Sequence, residues 1–224
     1  MAAQGPSDGP NSCSPHTGTT ILAIVYDGGV VLAADSRVSM GSYVSNRASN
    51  KIAPLGERVF LCRSGSAADT QAVGDYVAHF LNQHAMELGS EPKVRTAANL
   101  VKEMNYNNQH LMAAMIIAGY DDLRGGQVYG IPIGGTLVPQ NWAVDGSGST
   151  YIWGLCDAEY REGMTRDEAE TFAISAVSAA MARDGSSGGL LRLVTINKEG
   201  VHKRTVLGSE IPLYHEELPI PAAA

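Results

Sequence analysis

Apolar residues follow two rhythms along this chain, and the rhythm changes several times. From Thr19 the stretch Thr19-Thr20-Ile21-Leu22-Ala23-Ile24-Val25-Tyr26 is rich in β-branched residues and predicts a strand. Asp27-Gly28 is a strong hairpin signal. Val30-Val31-Leu32-Ala33-Ala34 then predicts the partner strand, ending at Asp35-Ser36-Arg37. Both runs are almost wholly apolar, as strands are when each face is covered. Lys51-Ile52-Ala53 and Arg58 to Arg63 predict two more short strands, the second stopped by Ser64-Gly65.

At Ser66 the period lengthens. Ala68, Ala72, Val73, Tyr76, Val77, Phe80 and Leu81 recur at helical spacing to about Leu88-Gly89. Ser66 with Asp69 is a variant of the capping box. A second helix is expected from Thr96 to Gln109, then a strand from Leu111 to Tyr120, a turn over Asp121 to Gly126 and a strand from Gln127 to Ile133. Asn141 to Val144 leads into Gly146-Ser147-Gly148. Thr165-Arg166-Asp167-Glu168 is a full capping box and opens a helix to about Arg183. After the loop Asp184-Gly185-Ser186-Ser187-Gly188-Gly189, Leu190–Ile196 and Val201–Val206 form a last hairpin. Apolar strands need cover on both faces, and helices in two separate blocks supply it. The expected fold is α+β, with two stacked, mainly antiparallel sheets between helix layers. Periodicity alone leaves an ordinary one-sheet α+β domain open.

Composition changes this picture at the ends. Residues 1–18 hold Gly, Pro, Ser, Asn and Thr, with Asp8 the only charge and no apolar stretch. They lack the basic start and apolar centre of a secretory signal and are read as a leader, either a loose terminus or a segment that is removed. Residues 19–211 are read as the folded domain and 212–224, with three prolines, as an extended arm. The whole chain of 224 residues, 44% hydrophobic and 17% charged, has the make-up of a globular protein. Its net charge of −7 and the lack of any Lys/Arg block argue against nucleic acid. No apolar run is long enough to span a membrane. Cys13, Cys62 and Cys156 fit neither a disulfide framework nor a CxxC site, which favours a reducing compartment.

Candidate chemistry is sparse. Gly185-Ser186-Ser187-Gly188-Gly189 formally matches GxSxG, but a nucleophile elbow needs a strand before it and a helix after it, and here the order is reversed. The six His residues show no metal-binding spacing, and Gly146-Ser147-Gly148 lacks the ending of a P-loop; no metal or cofactor is expected. The front of the chain is different. Thr19 stands where a bland leader meets a buried strand, Asp35 ends the next strand, and Lys51 begins another apolar piece. Cutting after Gly18 exposes a Thr hydroxyl beside its own free amine, and an N-terminal amine can activate such a hydroxyl. Its ordinary pKa, about 7.7–8.0, lies close to the pH at which a base should work.

These residues carry a resemblance. Gly18-Thr19-Thr20, Asp35-Ser36-Arg37, Lys51, Ser64 to Asp69, Gly146 to Ser149 and Asp184 to Gly189 together resemble a catalytic beta subunit of the eukaryotic 20S proteasome. The likeness covers Thr17 to about Ile211 and is nearest to the caspase-like subunit, through Gly41-Ser42-Tyr43, Arg63 to Gln71 and Tyr160 to Thr165. It implies the four-layer αββα sandwich of N-terminal nucleophile hydrolases. It implies Thr19 as nucleophile, freed by self-cleavage of Gly18–Thr19, with Lys51 beside the hydroxyl and Asp35 orienting Lys51. Ser147, Asp184 and Ser187 match the residues around the threonine amine, and Gly65 matches the oxyanion donor. Val38, Ser39, Arg63, Ala67 and Gln71 match the substrate pocket, with Arg63 at its base and acidic residues the preferred cleavage sites. Without the resemblance, Arg63 reads equally as a surface Arg paired with a neighbouring subunit's acid.

The resemblance further implies alpha and beta partner subunits in a 28-subunit barrel, unfolded polypeptide substrates, and residence in cytoplasm and nucleus. Asp145 departs from the family pattern, which has Gly there; the extra carboxylate either shifts protonation near Ser147 or points away. The competing functions are a non-catalytic ring subunit, a small-molecule amidase of the same fold, and a plain binding module. The first typically lacks the Thr or Lys, the second usually starts with Ser or Cys, and the third leaves Thr19, Asp35 and Lys51 unexplained.

Overall fold

The first strands are apolar throughout because they lie between two other layers. The computed structural model describes residues 18–212 and Tyr214; the remaining leader and arm residues lie outside these described residues. Strands are numbered in chain order. β1 (Ile21–Tyr26), β2 (Gly29–Asp35), β10 (Trp142–Asp145), β11 (Leu191–Asn197) and β12 (Gly200–Val206) form one sheet in the order β10-β1-β2-β11-β12. β5 (Ile52–Pro54), β6 (Val59–Gly65), β7 (Ala113–Asp121), β8 (Gly125–Ile131) and β9 (Val138–Gln140) form a second, in sequence order. The pairings in both sheets are antiparallel.

Alternation along the strands builds three cores. Ile21, Ala23, Val30 and Leu32 face Ile52, Phe60, Cys62 and Ile116 in the layer between the sheets. Leu22, Ile24, Val31 and Leu193 face the other way, onto Phe172, Ala173, Ala176 and Val177 of α4 (Arg166–Arg183) and Cys156 of α3 (Trp153–Glu159). Val59, Leu61 and Met115 face α1 (Ala67–Leu88) and α2 (Val94–Asn107). This is the expected helix–sheet–sheet–helix sandwich; the one-sheet alternative is excluded.

Local departures have local causes. β6 runs through Ser64-Gly65 instead of stopping there, paired to Ala114 and Ala113. Ser66 does cap α1, accepting from the Asp69 N–H at 3.3 Å. The Asp69 carboxylate, however, accepts from Met112 N instead of reaching back, so no reciprocal box forms. The full box at Thr165 and Glu168 is present. α2 begins before Thr96 because its cap is tertiary: Asp121 of β7 accepts from Val94 N. The hairpin β3 (Val38–Met40) and β4 (Tyr43–Asn46) is absent from the sequence reading because every residue of β4 is exposed and no alternation marks it. β9, also unforeseen, is an edge strand holding Pro139. Among the described residues no helix is long and apolar enough to cross a membrane.

Candidate active site

Strand register brings the front of the chain together with distant segments. Thr19 lies two residues before β1, and Thr20 stands opposite Asp35, whose N–H donates to the Thr20 carbonyl. Lys51 lies just before β5, opposite Arg63, whose N–H donates to the Lys51 carbonyl. Ser147 opens a short 3₁₀ turn, Ser147–Tyr151, after β10. Asp184 ends α4, and Ser187 sits in the loop that leads to β11.

Asp35 is fully buried and saturated. Its Oδ1 accepts from Thr20 N at 2.9 Å and Lys51 Nζ at 2.7 Å. Its Oδ2 accepts from Arg37 N at 3.1 Å and Gly188 N at 3.0 Å. Lys51 is 4% exposed, and its ammonium also donates to the Gly18 carbonyl at 2.9 Å. Burial pulls the Lys51 pKa below the ordinary lysine value, while Asp35 pulls it back up. The Thr19 hydroxyl donates to the same Gly18 carbonyl at 2.8 Å. One peptide oxygen thus receives both the Thr19 hydroxyl and the Lys51 ammonium, across the bond between Gly18 and Thr19.

A second network surrounds the Thr19 nitrogen. Thr19 N donates to Ser147 Oγ at 3.1 Å, and Ser147 Oγ donates to Asp184 Oδ2 at 2.7 Å. Ser187 Oγ donates to the same Oδ2 at 2.5 Å. Because that proton is committed, Thr20 Oγ1, 2.7 Å from Ser187 Oγ, is the donor of the pair. Gly148 N holds the Thr19 carbonyl at 3.1 Å.

A cavity of about 100 Å³ opens at Thr19 and Lys51. Val38, Arg63, Gly65, Ala67 and Gln71 line it, as do Ser49 and Thr70, which sequence reasoning did not find. Ser39 is buried in β3 but not part of this lining, and its hydroxyl has no hydrogen-bond partner among the described residues. Arg63 shares its strand face with Leu61, toward α1. Its guanidinium donates to the Asn50 carbonyl at 2.8 Å, and burial lowers its pKa more than Asp75 raises it. Gly65 has a φ of +104°, and a Cβ there would lie 2.3 Å from the Met112 carbonyl, so only glycine fits. A wider hollow of about 660 Å³, around Asp167, Glu168 and Phe172, holds none of these residues.

Three more groups lie in motifs quoted above, but the sequence assigned them no role. Thr20 joins the hydroxyl network. Arg37 donates to the Gly185 carbonyl at 2.8 Å and steadies the Ser187 loop. Ser186 packs directly on Gly18. Asp145 does not join this network: its carboxylate accepts from its neighbour Gly146 N. Among the described residues no cluster of His, Cys, Asp and Glu is arranged to hold a metal ion.

Residues 15–196 match the sequence profile of the proteasome subunit family. The chain is 50% identical over 210 residues to proteasome subunit beta type-6 of Arabidopsis thaliana, covering 93% of this chain and 90% of that protein. It is also 50% identical over 200 residues to proteasome subunit beta type-6 of Dictyostelium discoideum, covering 89% and 94%. Against proteasome subunit beta type-9 of Rattus norvegicus the identity is 50% over 203 residues, covering 90% and 92%. The chain belongs to the proteasome subunit family, among its beta-type members.

Proposed function

We propose that this chain is a threonine endopeptidase subunit of the 20S proteasome core. It frees Thr19 by cutting its own Gly18–Thr19 bond and then cleaves unfolded polypeptides, preferentially after acidic residues. The observation that carries this reading is the convergence of the Thr19 hydroxyl and the Lys51 ammonium on the Gly18 carbonyl. Membership of the family implies assembly with other proteasome subunits. The expected assembly is the 28-subunit barrel of alpha and beta rings, in cytoplasm and nucleus, acting in ubiquitin-dependent degradation.

The chemistry follows from the contacts. In self-cleavage the Thr19 oxygen adds to the Gly18 carbonyl carbon while Lys51 stabilises charge on the carbonyl oxygen. The C–N bond breaks, the hydroxyl proton ends on the departing nitrogen, and an ester links Gly18 to Thr19. Water hydrolyses that ester, releasing the leader as a carboxylic acid. The nitrogen that donates to Ser147 is then a free amine with an ordinary pKa of about 7.7–8.0. It takes the hydroxyl proton in the next attack, on a substrate carbonyl, with Ser147, Asp184 and Ser187 orienting it. Gly65 N–H is the oxyanion donor in this scheme. The test is the mass of the chain in assembled particles, which should begin at Thr19.

Gly18 is expected to be irreplaceable for this step. A Cβ at residue 18 would lie 2.0 Å from Ser186 Cβ and 2.3 Å from the Ser186 carbonyl oxygen. The second clash is with backbone, so Gly18→Ala must pull the carbonyl off Lys51. The leader should stay attached, even when Ser186→Ala accompanies it; efficient processing of Gly18→Ala would show that the contact does not position the bond.

Arg63 supports the acidic preference, since its half-buried guanidinium lines the cavity beside Thr19. A charge-assisted contact there is worth about 1.5–3 kcal/mol, roughly tenfold to a hundredfold in selectivity. Arg63→Leu should lose that margin against peptides ending in Glu and gain cleavage of peptides ending in Leu. Equal loss of both activities would mean that Arg63 serves the fold and not the substrate.

A further inference from the structure

The loop that leads into Lys51 is gripped by two arginines that come from different sheets. Residues 47–50 follow the exposed strand β4, and Arg47, Ala48 and Asn50 are exposed themselves. Such a segment buries little apolar surface, so it keeps one position only where its backbone is tied down. Three successive carbonyls in it are held by guanidinium groups. Arg192 of β11 donates from Nη2 to the Ala48 carbonyl at 2.9 Å and from Nε to the Ser49 carbonyl at 3.2 Å. Arg63 of β6 donates from Nη2 to the Asn50 carbonyl at 2.8 Å. Ser36, just after β2, adds two contacts: its carbonyl accepts from Ser49 N at 3.0 Å, and its hydroxyl donates to the Arg47 carbonyl at 2.5 Å. Ser49 and Arg63 line the cavity beside Thr19, and Arg192 does not. Val194 and Ile196 face the layer between the sheets, so Arg192 leaves β11 on that same face, near the start of the strand.

We propose that Arg192 is a positioning residue for substrate selection: it fixes the loop that brings Ser49 to the cavity and anchors the Arg63 guanidinium. The inference rests on Arg63 reading an acidic side chain. The Asn50 carbonyl that Arg63 holds lies one residue past the Ser49 carbonyl that Arg192 holds. A shift of the loop therefore moves both the cation at the cavity and the Ser49 side chain. A guanidinium suits the task, because its donors lie in one rigid plane and reach two adjacent carbonyls at once. Bonds from a charged donor are also about twice as strong as neutral ones. Lys51 follows Asn50 but keeps anchors of its own: its ammonium pairs with Asp35, and its carbonyl accepts from Arg63 N. Loosening the loop should therefore blunt the choice of substrate and spare the chemistry at Thr19.

The experiment measures kcat and KM for fluorogenic peptides ending in Glu and in Leu, subtracting the rate of Thr19→Ala particles. It compares assembled wild-type, Arg192→Met, Arg192→Lys, Arg63→Leu and Arg63→Leu/Arg192→Met particles. Arg192→Met keeps an apolar stem and removes the donors; Arg192→Lys keeps the charge and loses the fork. In both, the Glu-over-Leu ratio of kcat/KM should fall roughly tenfold, the lower end of what a charge-assisted contact supplies. The fall should come mainly from a higher KM for the Glu-ending peptide, while cleavage of the Leu-ending peptide and loss of the leader, read by intact mass, change little. The double variant should be no less selective than Arg63→Leu, because both residues act on one contact. An unchanged ratio in Arg192→Met, equal loss on both peptides, full selectivity in Arg192→Lys or a further drop in the double variant overturns the positioning role alone. An unchanged ratio in Arg63→Leu overturns the acidic preference on which it rests.

Discussion

Thr19→Ala particles are expected to retain the leader on this chain and to lose cleavage after acidic residues, by roughly 10⁶-fold at this site, the scale seen when a hydrolase loses its nucleophile. The two effects share one atom. The Thr19 oxygen attacks the Gly18 carbonyl in processing and the substrate carbonyl afterwards, and alanine supplies no oxygen for either. The fold should survive, because the hydroxyl's hydrogen bond is to Gly18 of the leader itself. Asp35, Lys51 and the Ser147–Asp184–Ser187 network keep each other's contacts without it. Intact mass of the chain and hydrolysis of Glu-ending peptides give the two readouts. Thr19→Ser keeps an oxygen at the same place and should restore both. An alanine chain that begins at residue 19, in particles with every other active subunit disabled, would remove Thr19 from the processing step.

How much of this was legible beforehand depends on whether the signal is local. The inward and outward alternation of Ile21, Leu22, Ala23 and Ile24 is written in the chain as an unbroken apolar run, and it implied cover on both faces before any neighbour was placed. The box at Thr165 lies within four residues and was read directly. The cap of α2 is not local: its acceptor, Asp121, lies on β7, so the start of that helix came out two residues late. The site divides in the same way. Thr19, Asp35 and Lys51 stand at the ends of strong strands, and Ser147, Asp184 and Ser187 in glycine-rich loops, so each sits at a conspicuous boundary. Ser49 and Thr70 reach the cavity, and Thr20 the hydroxyl network, through register and packing alone. Ser186 matters because a loop after α4 presses on Gly18, a contact that no sequence period encodes. That Asp145 stays outside the Ser147–Asp184 network became decidable only once β10 was paired with β1.

Lys51→Ala is expected to damage both the chemistry and the fold, which separates it from Thr19→Ala. Asp35 and Lys51 form an ion pair at 2.7 Å with side-chain exposures of 0% and 5%. Truncating one partner of such a pair leaves a buried charge uncompensated and destabilises by about 3–5 kcal/mol. Three backbone N–H donors, from Thr20, Arg37 and Gly188, would still hold Asp35, which places the loss toward the lower end of that range. The chemical loss is separate, because the ammonium is the cation on the Gly18 carbonyl. Without it the leader should stay on. Linkage adds a signature. The Lys51 pKa is lowered in the folded state, so the unfolded chain binds more protons between the folded value and the ordinary lysine value. This group's contribution to stability therefore rises with pH across that window, and Lys51→Ala should flatten the rise. Thermal melts of assembled particles across alkaline pH read the linkage, and intact mass reads the leader. A variant that melts like wild type would show that the pair contributes nothing net to the fold. One that still loses its leader at the normal rate would show that Lys51 does not act on the Gly18 carbonyl.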